Sequence, residues 1–323
     1  MELGERIMRA SQQTEEGAPE ERVEEDVGDW PSDMEYDQGE EEEEVVVEIT
    51  EDDLLQYLDS QEEALVIAQG LFKEHSTGSL GELLSDKHAQ ELYTRGWTVL
   101  DHGIDTGLVS GAFDSAMQLV KDNQLKPASE LKMSEEGDED PYRDRKARDD
   151  LTVWLHPQGT ASSSAVSAST GNVQSLVDVL AGPLYNDISS IIHLSASPTS
   201  TEYQLAYYPP TNARYERHRD ALPTNDPSDT DQRRVTCIAY LNQEWQAGMG
   251  GELVLYQKQS EFKVNDAPPD VEYIPPEAGD SQSLGKFVVP PLGGRMVIFL
   301  SGVMDHEVLP SKGERFAITA WYR

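Results

Sequence analysis

The chain has 323 residues and sets 25 Lys and Arg against 61 Asp and Glu, a formal net charge of −36, which argues against nucleic acid as a partner because phosphate binding rests on neutralisation by Lys and Arg. No window approaches the roughly 18 consecutive apolar residues of a membrane span, and a single cysteine, Cys237, excludes internal disulfides. The N-terminus has no apolar core for secretion and is too acidic for an organelle transit peptide. A monomer in the cytoplasm or nucleus, with no membrane partner, is therefore expected.

Residues 1–53 hold 22 acids and 3 bases, a local charge of −19. So few apolar residues cannot bury enough surface to offset the entropy of ordering, so residues 1–50 read as a disordered acidic tail. It is either simply solvated or a dock for a basic partner. A helical extension over residues 51–95 follows. Leu54, Leu55 and Leu58, then Leu65, Ile67, Ala68, Leu71 and Phe72, recur at helical spacing. Ser85 is placed to cap a second helix that Gly96 ends, and residues 97–100 form a short apolar strand. Thr106 is read as the cap of a third helix reaching about residue 123, with Val109, Phe113, Met117 and Val120 as its apolar stripe. Residues 131–150 are charged and irregular, residues 151–155 form a strand, and the Ser- and Ala-rich run 159–170 reads as a flexible loop. A helix from Val173 is expected to kink at Gly182-Pro183.

Beyond residue 200 the period changes. Seven short strands are predicted, over 203–208, 235–241, 251–256, 286–289, 295–300, 306–309 and 315–322. Two polar, proline-bearing insertions, 223–232 and 257–285, should lie outside the core. The fold class is α+β: a jelly roll, closed enough to enclose a small ligand, supported by N-terminal helices.

His218 and Asp220, read on an extended strand, share one face. With His306 as a third donor they make two histidines and a carboxylate, the set that holds Fe(II) in non-heme oxygenases. Nine residues on, Arg315 begins a strand that places Arg315, Thr319 and Trp321 on one face and Phe316, Ile318 and Tyr322 on the other. A guanidinium there needs an anion, either a dicarboxylate whose far end chelates the metal or an internal Asp or Glu. Tyr240 is read as a second donor to that anion or as core packing, and Tyr208 and Tyr215 as pocket lining. The remaining histidines are surface or core residues. Cys237 is a buried thiol facing away from Tyr240.

The segments RDDLTVW (148–154), YYPPTNARYERHRD (207–220), RRVTCIAYLNQEW (233–245) and DHEVLPSKGERFAITAWY (305–322) closely resemble the 2-oxoglutarate- and Fe(II)-dependent prolyl 4-hydroxylases, and within them the cytosolic oxygen-sensing type. Weaker similarity reaches back to about Gly96. The resemblance implies a dioxygenase domain over residues 96–323 with its core at 200–323, folded as a double-stranded β-helix. Fe(II) is expected on His218, Asp220 and His306. 2-Oxoglutarate is expected to meet Arg315 and Tyr240 at one end and to lie near Tyr208 at the other, walled by Thr319, Trp321 and Tyr215. O2 is then the co-substrate, ascorbate an accessory reductant, and the substrate a proline in a protein or peptide, hydroxylated at C4 with succinate and CO2 as co-products. The charged stretch 131–150 corresponds to a mobile substrate-covering loop. The alternatives are an oxygenase for another side chain or small molecule, and a catalytically silent interaction protein.

Overall fold

The computed structural model describes residues 61–74, 81–128, 147–157, 171–257, 268–277 and 284–323. The chain divides into two units, Met1–Glu48 and Ile49–Arg323, and the described residues all belong to the second. The acidic tail, the first half of the first predicted helix, most of the 131–150 stretch, the 159–170 run and residues 258–267 and 278–283 of the second insertion lie outside them.

Five α-helices are described: α1 (Gln61–Gln69), α2 (Asp86–Arg95), α3 (Thr106–Lys121), α4 (Gly171–Val179) and α5 (Tyr185–Ile191). Helix α2 is bounded as its sequence requires. Ser85 and His88 form a reciprocal cap, and Gly96 closes the other end in the left-handed conformation at φ 81°. Helix α3 is capped by Asp105, not Thr106: the Asp105 carboxylate accepts the Leu108 N–H at 3.0 Å. Its deepest residues are Val109, Ala112, Ala116 and Leu119, so the buried line runs through small alanines, while Phe113, Met117 and Val120 flank it half-buried. The kink at Gly182-Pro183 is a π turn, Leu180–Leu184, joining α4 to α5. The wider turn accommodates a proline that an α-helix would exclude.

Twelve strands follow in chain order: β1 (Trp97–Leu100), β2 (Lys126–Pro127), β3 (Leu151–Leu155), β4 (Glu202–Tyr208), β5 (Ala213–His218), β6 (Val235–Tyr240), β7 (Leu253–Gln257), β8 (Glu272–Ile274), β9 (Gly285–Val289), β10 (Met296–Leu300), β11 (His306–Ser311) and β12 (Arg315–Tyr322). They form a seven-stranded sheet, β1-β10-β6-β12-β4-β3-β2, and a five-stranded sheet, β5-β11-β7-β9-β8. From β4 to β12 the chain passes back and forth between the two sheets, and every pairing is antiparallel. That alternation is a double-stranded β-helix.

Helix α3 and the turn between α4 and α5 cover the outer face of the large sheet. Phe113 of α3 meets Phe316 of β12 edge-on at 5.4 Å, and the Tyr322 hydroxyl donates to the Leu180 carbonyl at 2.9 Å. The inner face, carrying Arg315, Ala317, Thr319 and Trp321, turns toward the small sheet and lines a cavity. The alternation expected for this strand is thus the one observed.

Two strands beyond residue 200 were not among the seven predicted. Strand β5 ends at His218, so Asp220 lies two residues past it on a bend and not on the strand. Strand β8 falls in the 257–285 insertion. It pairs with β9 at the sheet edge, packs Tyr273 against Phe287 at 4.9 Å, and is preceded by Asp270, which pairs with Arg295 at 2.9 Å. One aromatic ring and one ion pair suffice to draw a polar segment onto an edge. The 223–232 insertion has no regular structure. It is gathered by buried Arg234, which donates to the carbonyls of Asp226, Pro227 and Asp229.

Candidate active site

Strands β5 and β11 pair so that His218 stands opposite His306, with ring centroids 4.2 Å apart. The Asp220 carboxylate joins them: His218 Nε2 is 3.6 Å from Oδ1 and His306 Nε2 is 3.9 Å from Oδ2. One ligand atom from each residue lies within 4.8 Å of the others, a cluster able to hold a metal ion. Both imidazoles are oriented in the same way. Nδ1–H of His218 donates to the Glu216 carbonyl at 2.8 Å, and that of His306 to the Met304 carbonyl at 3.1 Å. A carbonyl can only accept, so each Nδ1 carries a proton and each Nε2 is the atom turned toward the carboxylate, free to act as a metal donor when its ring is neutral.

Asp220 is held from its other side. Its Oδ2 accepts the Thr236 hydroxyl at 2.7 Å and the Trp321 indole N–H at 3.0 Å. Burial opposes ionisation of this carboxyl, but His306, His218 and the Thr236 hydrogen bond outweigh burial and hold it below the ordinary carboxylate range. His306 is itself lowered to about 4, by burial first and by neighbouring His218 second. The result is an ionised carboxylate beside a neutral buried imidazole, the protonation states a metal requires.

The cluster opens into a cavity of about 250 Å³ between the sheets. At its inner end lies Arg315, 2% exposed, with its guanidinium 4.5 Å over the Tyr208 ring and 5.2 Å from that of Tyr240. Nε–H donates to the Gly251 carbonyl at 2.7 Å. Among the described residues no carboxylate pairs with Arg315, so none of them supplies an internal ion pair. Beside it the fully buried Tyr240 hydroxyl makes no hydrogen bond among the described residues. A buried cation without its anion, next to an unused hydroxyl, fits an anionic group entering from the cavity.

Tyr208, Tyr215, Thr319 and Trp321 line this cavity, and Tyr240, which does not, stands beside Arg315. Tyr215 stacks on His218 at 3.7 Å and 18°. Three contributors were not singled out from the sequence: Thr236, the Arg148–Asp150 pair and Arg233. Thr236 shares a face of β6 with Tyr240 by period two, which is the one signal that pointed to it. Arg148 bonds buried Asp150 through two nitrogens at 2.7 and 2.6 Å and covers Tyr215 at 4.3 Å. Arg233 lies over Trp321 at 4.3 Å. Nothing in the local pattern separates these two arginines from ordinary surface cations.

Residues 203–323 match the 2OG-Fe(II) oxygenase superfamily, and the chain carries a domain of that superfamily. Its curated relatives include Egl nine homolog 1 of Rattus norvegicus, 29% identical over 123 residues, which are 38% of this chain and 28% of the relative. Prolyl hydroxylase EGLN3 of Mus musculus is 32% identical over 120 residues, 36% of this chain and 38% of the relative. The hypoxia-inducible factor prolyl hydroxylase of Caenorhabditis elegans is 24% identical over 262 residues, 80% of this chain and 29% of the relative. The matches thus span less than two fifths of these relatives. A solved prolyl 4-hydroxylase structure from Phytophthora capsici shares the fold with a TM-score of 0.51 at 22% identity, covering 78% of this chain and 68% of that one. No helix among the described residues is long and apolar enough to cross a membrane.

Proposed function

We propose that this chain is a 2-oxoglutarate- and Fe(II)-dependent dioxygenase that hydroxylates C4 of prolyl residues in a protein substrate, with succinate and CO2 as co-products. The observation that carries the reading is the convergence of His218, Asp220 and His306 beside buried Arg315, which has no carboxylate partner among the described residues. The three donors would hold Fe(II), which when bound supplies the oxidising chemistry that O2 and 2-oxoglutarate drive. The chain's own part is positioning. Arg315 offers a planar fork to the far carboxylate of the cosubstrate, and Tyr240 offers a neutral donor beside it. Tyr208 and Thr319 shape the channel between that carboxylate and the metal. Tyr215 stacks on His218, and Trp321 keeps one Asp220 oxygen occupied so that the other is left for the ion.

The relatives named as prolyl hydroxylases support a proline-containing protein or peptide as substrate. The acidic charge supports exclusion of nucleic acid, and the lone buried Cys237 supports a reducing compartment such as cytoplasm or nucleus. A monomer that uses ascorbate to keep its iron reduced completes the proposal. The test is incubation with Fe(II), ascorbate, labelled 2-oxoglutarate and proline peptides. Hydroxyproline formed in step with succinate supports the proposal. Succinate without hydroxyproline moves the activity to another acceptor, and no turnover of either makes the domain an interaction module.

A further inference from the structure

A second constellation backs the first. His218 and Asp220 project into the cavity, while Arg217 and Arg219, which alternate with them, lie outside it. Asp305, immediately before His306, lies on that same outer side. Its carboxylate is shared: Oδ2 accepts Arg217 Nη2 at 2.5 Å, and Oδ1 accepts Arg219 Nε at 2.7 Å. The Arg219 and Asp305 side chains are 7% and 18% exposed, so this half of the network is largely shielded from water. The Arg217 guanidinium also covers the Tyr256 ring at 4.3 Å, and the Asp305 carbonyl accepts the Tyr256 N–H at 2.9 Å. Strands β5, β7 and β11 are thereby joined at one point.

The need for such a link follows from where the ladder stops. Strand β5 ends at His218, so its pairing with β11 stops before Asp220; the one register shift next to the His218–His306 pair lies on its other side, toward Tyr215 and Val308. Among the described residues no strand pairing therefore sets the distance from Asp220 to His306. Thr236 and Trp321 hold the Asp220 carboxylate, but the backbone of the turn carrying it is tied to the His306 segment through Arg219 and Asp305. We infer that Asp305 is a positioning residue: bridging the arginines on either side of His218, it holds His218, Asp220 and His306 at a metal-binding separation. The inference rests on the metal centre proposed above. Charge-assisted, nearly buried bonds suit the task because they are short and directional, and the Asp305 carboxylate is shared between both guanidinium groups.

The test titrates Mn(II) into the full-length chain by calorimetry, and measures the melting temperature of the chelator-treated protein, for wild type, Asp305→Asn and Asp305→Glu. Asp305→Asn is expected to weaken Mn(II) binding roughly 10–100-fold, the range seen when an outer partner of a ligand is lost, and Asp305→Glu to restore most of it. A role in stability alone would lower the melting temperature and leave Mn(II) affinity within about twofold of wild type; that result, or no change in either quantity, overturns the inference. Should Asp305→Asn fail to fold, the double variant Asp305→Asn with Arg219→Gln, which also removes the guanidinium facing residue 305, is read by the same two measurements. Wild type that takes up no Mn(II) removes the metal centre itself, an outcome distinct from a wild type that binds and a variant that binds equally well.

Discussion

Arg315 donates its Nε–H to the carbonyl of Gly251 at 2.7 Å, and the same glycine leaves room for the arginine's stem. A Cβ on Gly251 would come within 2.8 Å of Arg315 Cδ, and the residue's φ of +76° lies where side chains are strained. The orientation of the cation is thus set by a backbone position far from it in the chain.

Gly251→Ala should therefore cost about 1–3 kcal/mol of stability from backbone strain and displace the guanidinium. The expected kinetic signature is a raised KM for 2-oxoglutarate with unchanged Mn(II) affinity. A variant that melts lower yet keeps its KM would show that Arg315 tolerates the shift.

Arg315→Ala and Arg315→Lys should both raise the 2-oxoglutarate requirement, because an ammonium cannot reproduce the planar two-point contact. Loss of one partner of a buried charge pair costs about 2–5 kcal/mol, a change of roughly 30-fold or more in apparent affinity. Titration of 2-oxoglutarate at saturating metal measures it. If metal affinity fell as far as cosubstrate affinity, Arg315 would be structural instead.

His218→Ala should abolish turnover with the fold retained, as judged by circular dichroism. The loss in Mn(II) affinity should exceed the ~100-fold upper range for an outer partner, since a donor atom itself is gone. Retained metal binding would take His218 out of the centre.

The metal-free protein should lose stability in acid partly through His306. Its pKa is about 4 in the fold against 6.5 for a free histidine, so between those values the unfolded chain binds the extra proton. Stability from this group is full above about pH 6.5 and is lost as pH falls toward 4. Asp220, held below its ordinary value, adds a loss of the same sign at lower pH. Urea midpoints of chelator-treated wild type and His306→Asn across this range check it: the gap between them should narrow as pH falls. A gap independent of pH would mean that His306 is not buried and neutral.

What lay open in the amino-acid order was whatever depends on neighbours along the chain. The two faces of β12 follow from period-two alternation, Gly96 ends α2 because only glycine enters that conformation cheaply, and the donor types His218, Asp220 and His306 can be named without coordinates. Local readings failed where competing local options were nearly equal: Asp105 caps α3 in place of Thr106 one residue on, and the edge strand β8 forms from a polar segment.

What only the tertiary structure decided was convergence. That His306 meets His218 depends on the register of β11 against β5. That Arg315 meets no carboxylate among the described residues while Asp305 takes two arginines depends on which side chains the two sheets bring together. The alternation of a strand is an intrinsic property of its backbone, whereas the distance between two remote side chains is set by the packing of everything between them.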